Sequence, residues 1–112
     1  DGSVGFIQFR DGFHYYGQMV QESPHGLGVD LYPDSSFFKG EFANGARHGF
    51  GHYQHHDLAY TGYWHRGKRH GVGLEQISIC GYALETFTSY SHGSLRLREK
   101  LGPENSQQVS AL

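Results

Sequence analysis

The sequence predicts an all-β protein, a single-layer, elongated, twisted sheet of consecutive antiparallel β-hairpins. Three observations carry that reading. A glycine-aromatic pattern occurs three times. Tyr15-Tyr16-Gly17, Phe38-Lys39-Gly40 and Tyr60-Thr61-Gly62 open the copies, and His25-Gly26-Leu27-Gly28, His48-Gly49-Phe50-Gly51 and His70-Gly71-Val72-Gly73 close them. The copies hold register: Gly17, Gly40 and Gly62 follow one another at 23 and 22 residues, and so do His25, His48 and His70. A fixed period of this length marks a repeat array, in which each unit buries its apolar face against its neighbours. Composition agrees, with 17 Gly, 8 Tyr and 8 Phe among 112 residues and little Leu, Ile or Val. That suits rings laid on bare backbone better than a packed sandwich.

Residues 1–14 read as a partial N-terminal repeat, a second strand without its first, because Gly5 stands 23 residues before Gly28. With no initiator Met, the chain reads as a fragment, or as one given without its preceding residues, which leaves room for more repeats upstream. Residues 15–37 form repeat 1, 38–59 repeat 2 and 60–81 repeat 3. Asn44-Gly45 between two aromatic runs is a strong hairpin signal, since both residues tolerate positive φ. Arg66-Gly67 holds the same place in repeat 3. In repeat 1 that glycine is Glu22, which predicts a different turn.

Side chains alternate faces along a strand. Tyr60, Gly62 and Trp64 therefore share a face, as do Phe38, Gly40 and Phe42, and Tyr15, Gly17 and Met19. Gly49 shares one with Gly51, and Gly71 with Gly73. Glycine weakens a strand unless something needs the space. Rings lying across the backbone of neighbouring strands would use it, and stacked rings over Gly49, Gly51, Gly71 and Gly73 would serve as the core.

Residues 82–101 read as a degenerate capping repeat or a short helix. Thr86 to Gly93 imitates Tyr60 to Gly67 after a four-residue insertion within 76–85, but the His-Gly-x-Gly element is gone. As a capping strand, Leu95 and Leu97 would face inward while Arg96 and Arg98 face water and protect the edge. As a helix, the run would start near Leu95 and end at Gly102-Pro103. Residues 102–112 are polar and aperiodic, which predicts a disordered tail.

The three-copy pattern resembles the MORN repeat (membrane occupation and recognition nexus) over residues 2–76, and Asp11-Gly12 falls at the family's usual inter-repeat turn. A retinophilin-like adaptor is the nearest kind within the family, through the Leu-Arg-rich ending. The resemblance implies a non-catalytic scaffold or adaptor. The family's partners include unconventional myosin tails, membranes and ciliary assemblies, so a cytoskeletal motor or a ciliary protein is an expected partner. A cytoplasmic location, associated with cytoskeleton, cilium or membrane, goes with that expectation. The same resemblance leaves room for a targeting segment of a larger enzyme or tether.

The residues themselves exclude several classes of function. A net charge of −2 supplies no global field for nucleic acid. The single Cys80 excludes an internal disulfide framework and favours a reducing compartment. The Gly-x-Gly elements lack the third glycine and the following helix of a dinucleotide loop. No nucleophile sits in a strained-turn context, so the chain is read as no enzyme, with no cofactor. His52, His55 and His56 lie close in sequence, but Cys80 is distant and no Cys-x-x-Cys exists, so they predict adventitious metal binding at most.

Two surfaces remain. Tyr15, Phe38, Phe42, Tyr60 and Trp64 recur on one face and predict an aromatic groove that holds a partner peptide or helix, because Trp and Tyr dominate binding hot spots. Arg66, Lys68 and Arg69 form a basic turn that would grip a phosphoinositide or another anionic lipid weakly, each charge contributing about 1 kcal/mol near a membrane.

Overall fold

The computed structural model describes residues 3–101. The described residues form nine strands: β1 (Ser3–Gln8), β2 (His14–Val20), β3 (Ser23–Leu31), β4 (Phe37–Ala43), β5 (Ala46–His55), β6 (Leu58–His65), β7 (Lys68–Ile79), β8 (Tyr82–Ser91) and β9 (Ser94–Lys100). They pair in chain order, all antiparallel, in one open sheet. The molecule measures 53 × 27 × 23 Å, elongated as the repeat period predicts. The tail expected over 102–112 lies outside the described residues, as do Asp1 and Gly2.

The turns follow from local chemistry. Asn44-Gly45, Arg66-Gly67, Cys80-Gly81 and His92-Gly93 all place two residues at positive φ, the pairing that matches strand twist in a two-residue hairpin. Gln21-Glu22 does the same, with φ of 51° and 64°. The different turn expected at Glu22 is therefore corrected: the strands around it impose the conformation, although Glu22 has no glycine's freedom.

The registers align the glycines. Gly5 pairs Gly17, Gly17 pairs Gly28, and the row runs on through Gly40, Gly51 and Gly62 to Gly73. This row crosses seven strands and ends at Thr88 on β8. A Cβ on Gly28, Gly51 or Gly73 would overlap the ring of Tyr15, Phe38 or Tyr60 respectively. A Cβ on Gly17, Gly40 or Gly62 would collide with the facing glycine's Cα. Each ring thus places its outer end over a glycine pair, and that is the core.

Gly49 and Gly71 belong to a different explanation than the one expected. They stand at φ +101° and +88°, and a Cβ on Gly71 would meet nothing nearer than the Tyr63 Cβ at 3.5 Å. These glycines, with Gly26, lie beside β-bulges between Gly17 and Met19, Gly40 and Phe42, and Gly62 and Trp64. They supply left-handed backbone where the ladder slips. In the first two repeats the bulge residue also satisfies the loosened amide. Gln18 Oε1 accepts from Leu27 N at 2.6 Å, and Glu41 Oε2 accepts from Phe50 N at 3.0 Å.

The C-terminal alternative resolves to a strand. Leu95 to Lys100 extend as β9, not as a helix, because β8 offers them a ladder of backbone partners. The insertion within 76–85 lengthens the β7–β8 hairpin, with Ile79 pairing Tyr82 around Cys80-Gly81. Leu95 and Leu97 do not face inward: both are 44–45% exposed, and every residue of β9 is exposed. No glycine row lies under that last hairpin, so no ring can be seated there for leucines to cover.

Candidate functional site

The five rings expected to line a groove share one face and touch one another, but they do not form an open groove. Tyr15, Phe38 and Tyr60 are fully buried, and Phe42 and Trp64 are nearly so, at 4% and 6% exposure. Tyr15–Phe42, Phe42–Phe38, Phe38–Trp64, Trp64–Tyr60 and Tyr60–Tyr90 meet edge to face at centroid distances of 5.0–6.0 Å. Such pairs add about 0.5–1.5 kcal/mol each beyond area burial. Tyr90 is the sixth member, which sequence reasoning missed. Its place opposite Gly71, as Trp64 stands opposite Gly49, was the available signal.

Two arginines close the ring face. Arg47 sits 4.7 Å from the Phe38 centroid, 4.9 Å from Trp64 and 5.1 Å from Tyr53. Arg69 sits 4.4 Å from Tyr60 and 5.4 Å from Tyr90. Each guanidinium has an acidic partner on the same face. Arg47 lies 3.9 Å from Asp30 and donates to the Tyr32 hydroxyl at 2.6 Å. Arg69 lies 3.2 Å from Glu75 and donates to the Tyr90 hydroxyl at 2.9 Å. Arg98 reaches the other oxygen of Glu75 at 2.9 Å. Burial pushes the Asp30 carboxyl up to about 6, against the pull of Arg47 and the Tyr32 hydroxyl. The expectation of a ring-lined binding groove is therefore corrected on accessibility. Sheet backbone lies beneath the rings, Arg47 lies over Phe38 and Trp64 and Arg69 over Tyr60, and all five rings are buried.

The basic turn also divides. Arg66 and Lys68 are exposed, but Arg69 is committed to Glu75, Tyr90 and the Tyr60 ring. Strand alternation sends Arg69 and Lys68 to opposite faces. The three charges do not converge on one anion.

The repeating histidines carry a structural task that the sequence did not disclose. Nδ1 of His25, His48 and His70 accepts the amide of Asn44, Arg66 and His92, the first turn residue one hairpin on. The preceding carbonyl, of Pro24, Arg47 or Arg69, accepts the amide of Gly45, Gly67 or Gly93. Each unit thus seats the next unit's turn. His65 lies among His48, His70 and His92, with ring centroids 4.7–5.5 Å away. Desolvation first, then the neighbouring imidazoles and Arg66, hold its pKa below the usual histidine range.

His52 parts from the other two histidines with which it was grouped. Its Nδ1 meets the Thr61 hydroxyl at 2.7 Å and its Nε2 meets Gln54 at 3.3 Å. Asp34 takes its place beside His55 and His56.

The face opposite the rings is open and apolar. Phe6, Tyr16, Leu27, Phe50, Tyr63 and Val72 are all about half-exposed or more. Phe6 and Tyr16 touch at 4.7 Å between centroids, and Phe50 and Tyr63 at 5.4 Å. Where the glycine row crosses this face, an open cleft of about 520 Å³ runs over Gly17, Gly28 and Gly40, walled by Val4, Tyr16, Leu27, Val29 and Lys39. The glycine backbone forms its floor.

Comparison with known proteins matches two stretches, residues 38–57 and 60–78, to the MORN repeat family. Rat alsin and human alsin are each 36% identical over 91 residues, 73% of this chain and 6% of the alsin. MORN repeat-containing protein 3 of Xenopus laevis is 32% identical over 80 residues, 64% of this chain and 34% of that protein. The chain thus spans a small fraction of the alsins it matches.

Proposed function

From the premise that this chain is a MORN-repeat protein, we propose that it is a non-catalytic protein-interaction module whose contact surface is the face opposite the buried rings. The observation that carries this is the row of exposed Phe6, Tyr16, Leu27, Phe50, Tyr63 and Val72, together with the glycine-floored cleft between them. A single-layer sheet has two faces. This one uses its first as the core and leaves large apolar side chains on the second, where solvation alone gives no reason for them. The partner of this reading is an apolar peptide or one side of an amphipathic helix laid across the strands, engaging one anchor per unit. Sites of this kind suit an adaptor on a cytoskeletal, ciliary or membrane-proximal assembly in the cytoplasm.

The test is capture of partner proteins by the segment and by two variants, Leu27→Asp with Phe50→Asp, and Tyr63→Ala with Val72→Asp. Both sets lie on the exposed face, and circular dichroism should show each variant folded. Proteins retained by the parent and lost by both variants support the reading, and retention by both variants overturns it. Vesicles containing phosphoinositide, pelleted in parallel, separate the membrane alternative. Binding that Arg66→Glu with Lys68→Glu abolishes, and the apolar substitutions leave intact, would assign the module to a lipid surface.

A further inference from the structure

We propose that Asp34, His55 and His56 form a binding site for one divalent transition-metal ion of the zinc type. The three side chains come from two connections that the sheet brings together: Asp34 from the loop between β3 and β4, and His55 and His56 from the end of β5 and its turn. Their ligand atoms all lie within 4.8 Å of one another. His55 Nδ1 is 3.4 Å from Asp34 Oδ2, and His56 Nε2 is 3.8 Å from the same oxygen. Zinc bonds of about 2.0–2.2 Å in tetrahedral array put adjacent ligand atoms about 3.3–3.6 Å apart. The observed spacing therefore needs only small side-chain movements to enclose an ion.

Three further features set this cluster apart from a chance meeting of polar side chains. His55 Nδ1 is buried and makes no hydrogen bond, even though the carboxylate is close. A buried ring nitrogen with no hydrogen-bond partner, facing a carboxylate across 3.4 Å, is placed to ligate an ion. Asp34 is held in place from behind. Its Oδ1 accepts from Ser36 N at 3.0 Å and from Ser36 Oγ at 2.6 Å, leaving Oδ2 for the histidines. Carboxylate ligands are oriented by such second partners, and losing those partners weakens metal sites 10–100-fold. The His55 ring is set by stacking on Tyr53, with 10° between planes, and His56 takes positive φ at 53°, which turns its ring toward His55 at 4.2 Å.

Two imidazoles and one carboxylate favour zinc, nickel or copper over magnesium or calcium, which prefer all-oxygen ligand sets. Three protein ligands leave one position open. Asp34 and His55 also line the cleft formed with Tyr32, Pro33, Ser36, Arg47 and Tyr53. Arg47, the cation of that cleft, is already matched by Asp30. The site lies at the strand ends and is independent of the apolar face proposed for partner binding.

The experiment is calorimetric titration of tag-free, chelator-treated protein with zinc chloride, paired with NMR of the histidine rings. The expected result is one saturable site with Kd near 10 µM or tighter, about −7 kcal/mol, and selective shifts of the His55 and His56 resonances. His55→Gln with His56→Gln should weaken binding at least about tenfold, and so should Asp34→Asn alone, a change on an exposed loop. Ser36→Ala should weaken it less, as a positioning residue. His65→Gln with His92→Gln should leave it unchanged. Absence of a saturable site in the parent overturns the proposal. So does binding that survives Asp34→Asn and the His55/His56 pair but is lost in the His65/His92 pair.

Discussion

The strands β2 to β7 and the hairpin β8–β9 follow the same antiparallel path with similar turns, yet they are stabilised differently. In the first, each unit lays one ring over a glycine pair and closes it with a second ring edge-on. In the second, the glycine row stops at Thr88, whose hydroxyl donates to the Gly73 carbonyl at 3.3 Å. Thr86 stands where Tyr60 and Phe38 would, and Arg98 faces Thr88 from β9. Thr88 is fully buried, but β9 is exposed along its whole length. The difference shows that the glycine is the limiting component of this core. Where the row gains its first Cβ, the ring has no seat and the core ends. Arg96, Arg98, Glu99 and Lys100 then place charge on the last strand, which discourages further pairing at the edge.

The largest expected effect breaks this contrast directly. Gly73→Val or Gly51→Val must displace a fully buried ring, Tyr60 or Phe38. Overpacking ordinarily costs about 1–3 kcal/mol, and loss at or beyond the top of that range is expected here, a large part of a small domain's stability. Thr88→Val, in the same row one strand on, should cost under about 1 kcal/mol. Urea denaturation of both measures the difference, and equal losses would refute the ring-on-glycine account.

The arginine closures sharpen the comparison within the repeats. Arg47→Met leaves buried Asp30 facing only the Tyr32 hydroxyl, whereas Arg69→Met leaves Glu75 still paired with Arg98. Removing one member of a buried ion pair costs about 3–5 kcal/mol when the remaining charge is stranded. Arg47→Met should therefore approach about 3 kcal/mol at pH 8, and Arg69→Met about 1–2, because part of the charge is retained by Arg98. Thermal melts of the two variants test the order.

Asp30 also gives a pH dependence with a definite sign. Its folded pKa of about 6 stands above its ordinary 3.8. Between those values the native state holds a proton that the unfolded chain has released, so stability falls as pH rises from about 4 to 6. The size is on the order of 2–3 kcal/mol across the window. Asp30→Asn should flatten that slope in denaturation curves taken at successive pH values. An unchanged slope would mean that Arg47 holds Asp30 ionised throughout.

The smallest effect belongs to the last hairpin. Leu95→Ser with Leu97→Ser should change stability by no more than about 0.5 kcal/mol, since both residues are exposed on the last strand. A loss several times larger would show that β9 covers part of the core after all.

Much of this architecture was legible because a repeat states its own period. The hairpins and the shared face of Tyr15, Phe38, Phe42, Tyr60 and Trp64 follow from alternation and turn residues alone. The seating of rings on glycine was legible in kind but misplaced at Gly49 and Gly71, since sequence does not distinguish a glycine needed for space from one needed for φ. The roles of Arg47 and Arg69 were concealed, although both precede a repeat histidine. A charged residue beside a turn reads as solvated until the register shows it lying over a ring.

The sequence by itself determined the strand order, the glycine-containing turns and the five buried rings, because these depend on spacing and local backbone preference. Tertiary structure alone decided which face stays open, which charges are spent internally, and that Asp34 rather than His52 joins His55 and His56. Those outcomes depend on the cross-strand register, and bulges between Gly17 and Met19, Gly40 and Phe42, and Gly62 and Trp64 shift that register once per unit. A one-residue slip in a strand exchanges faces, so accessibility and convergence are fixed only when the whole ladder is in place.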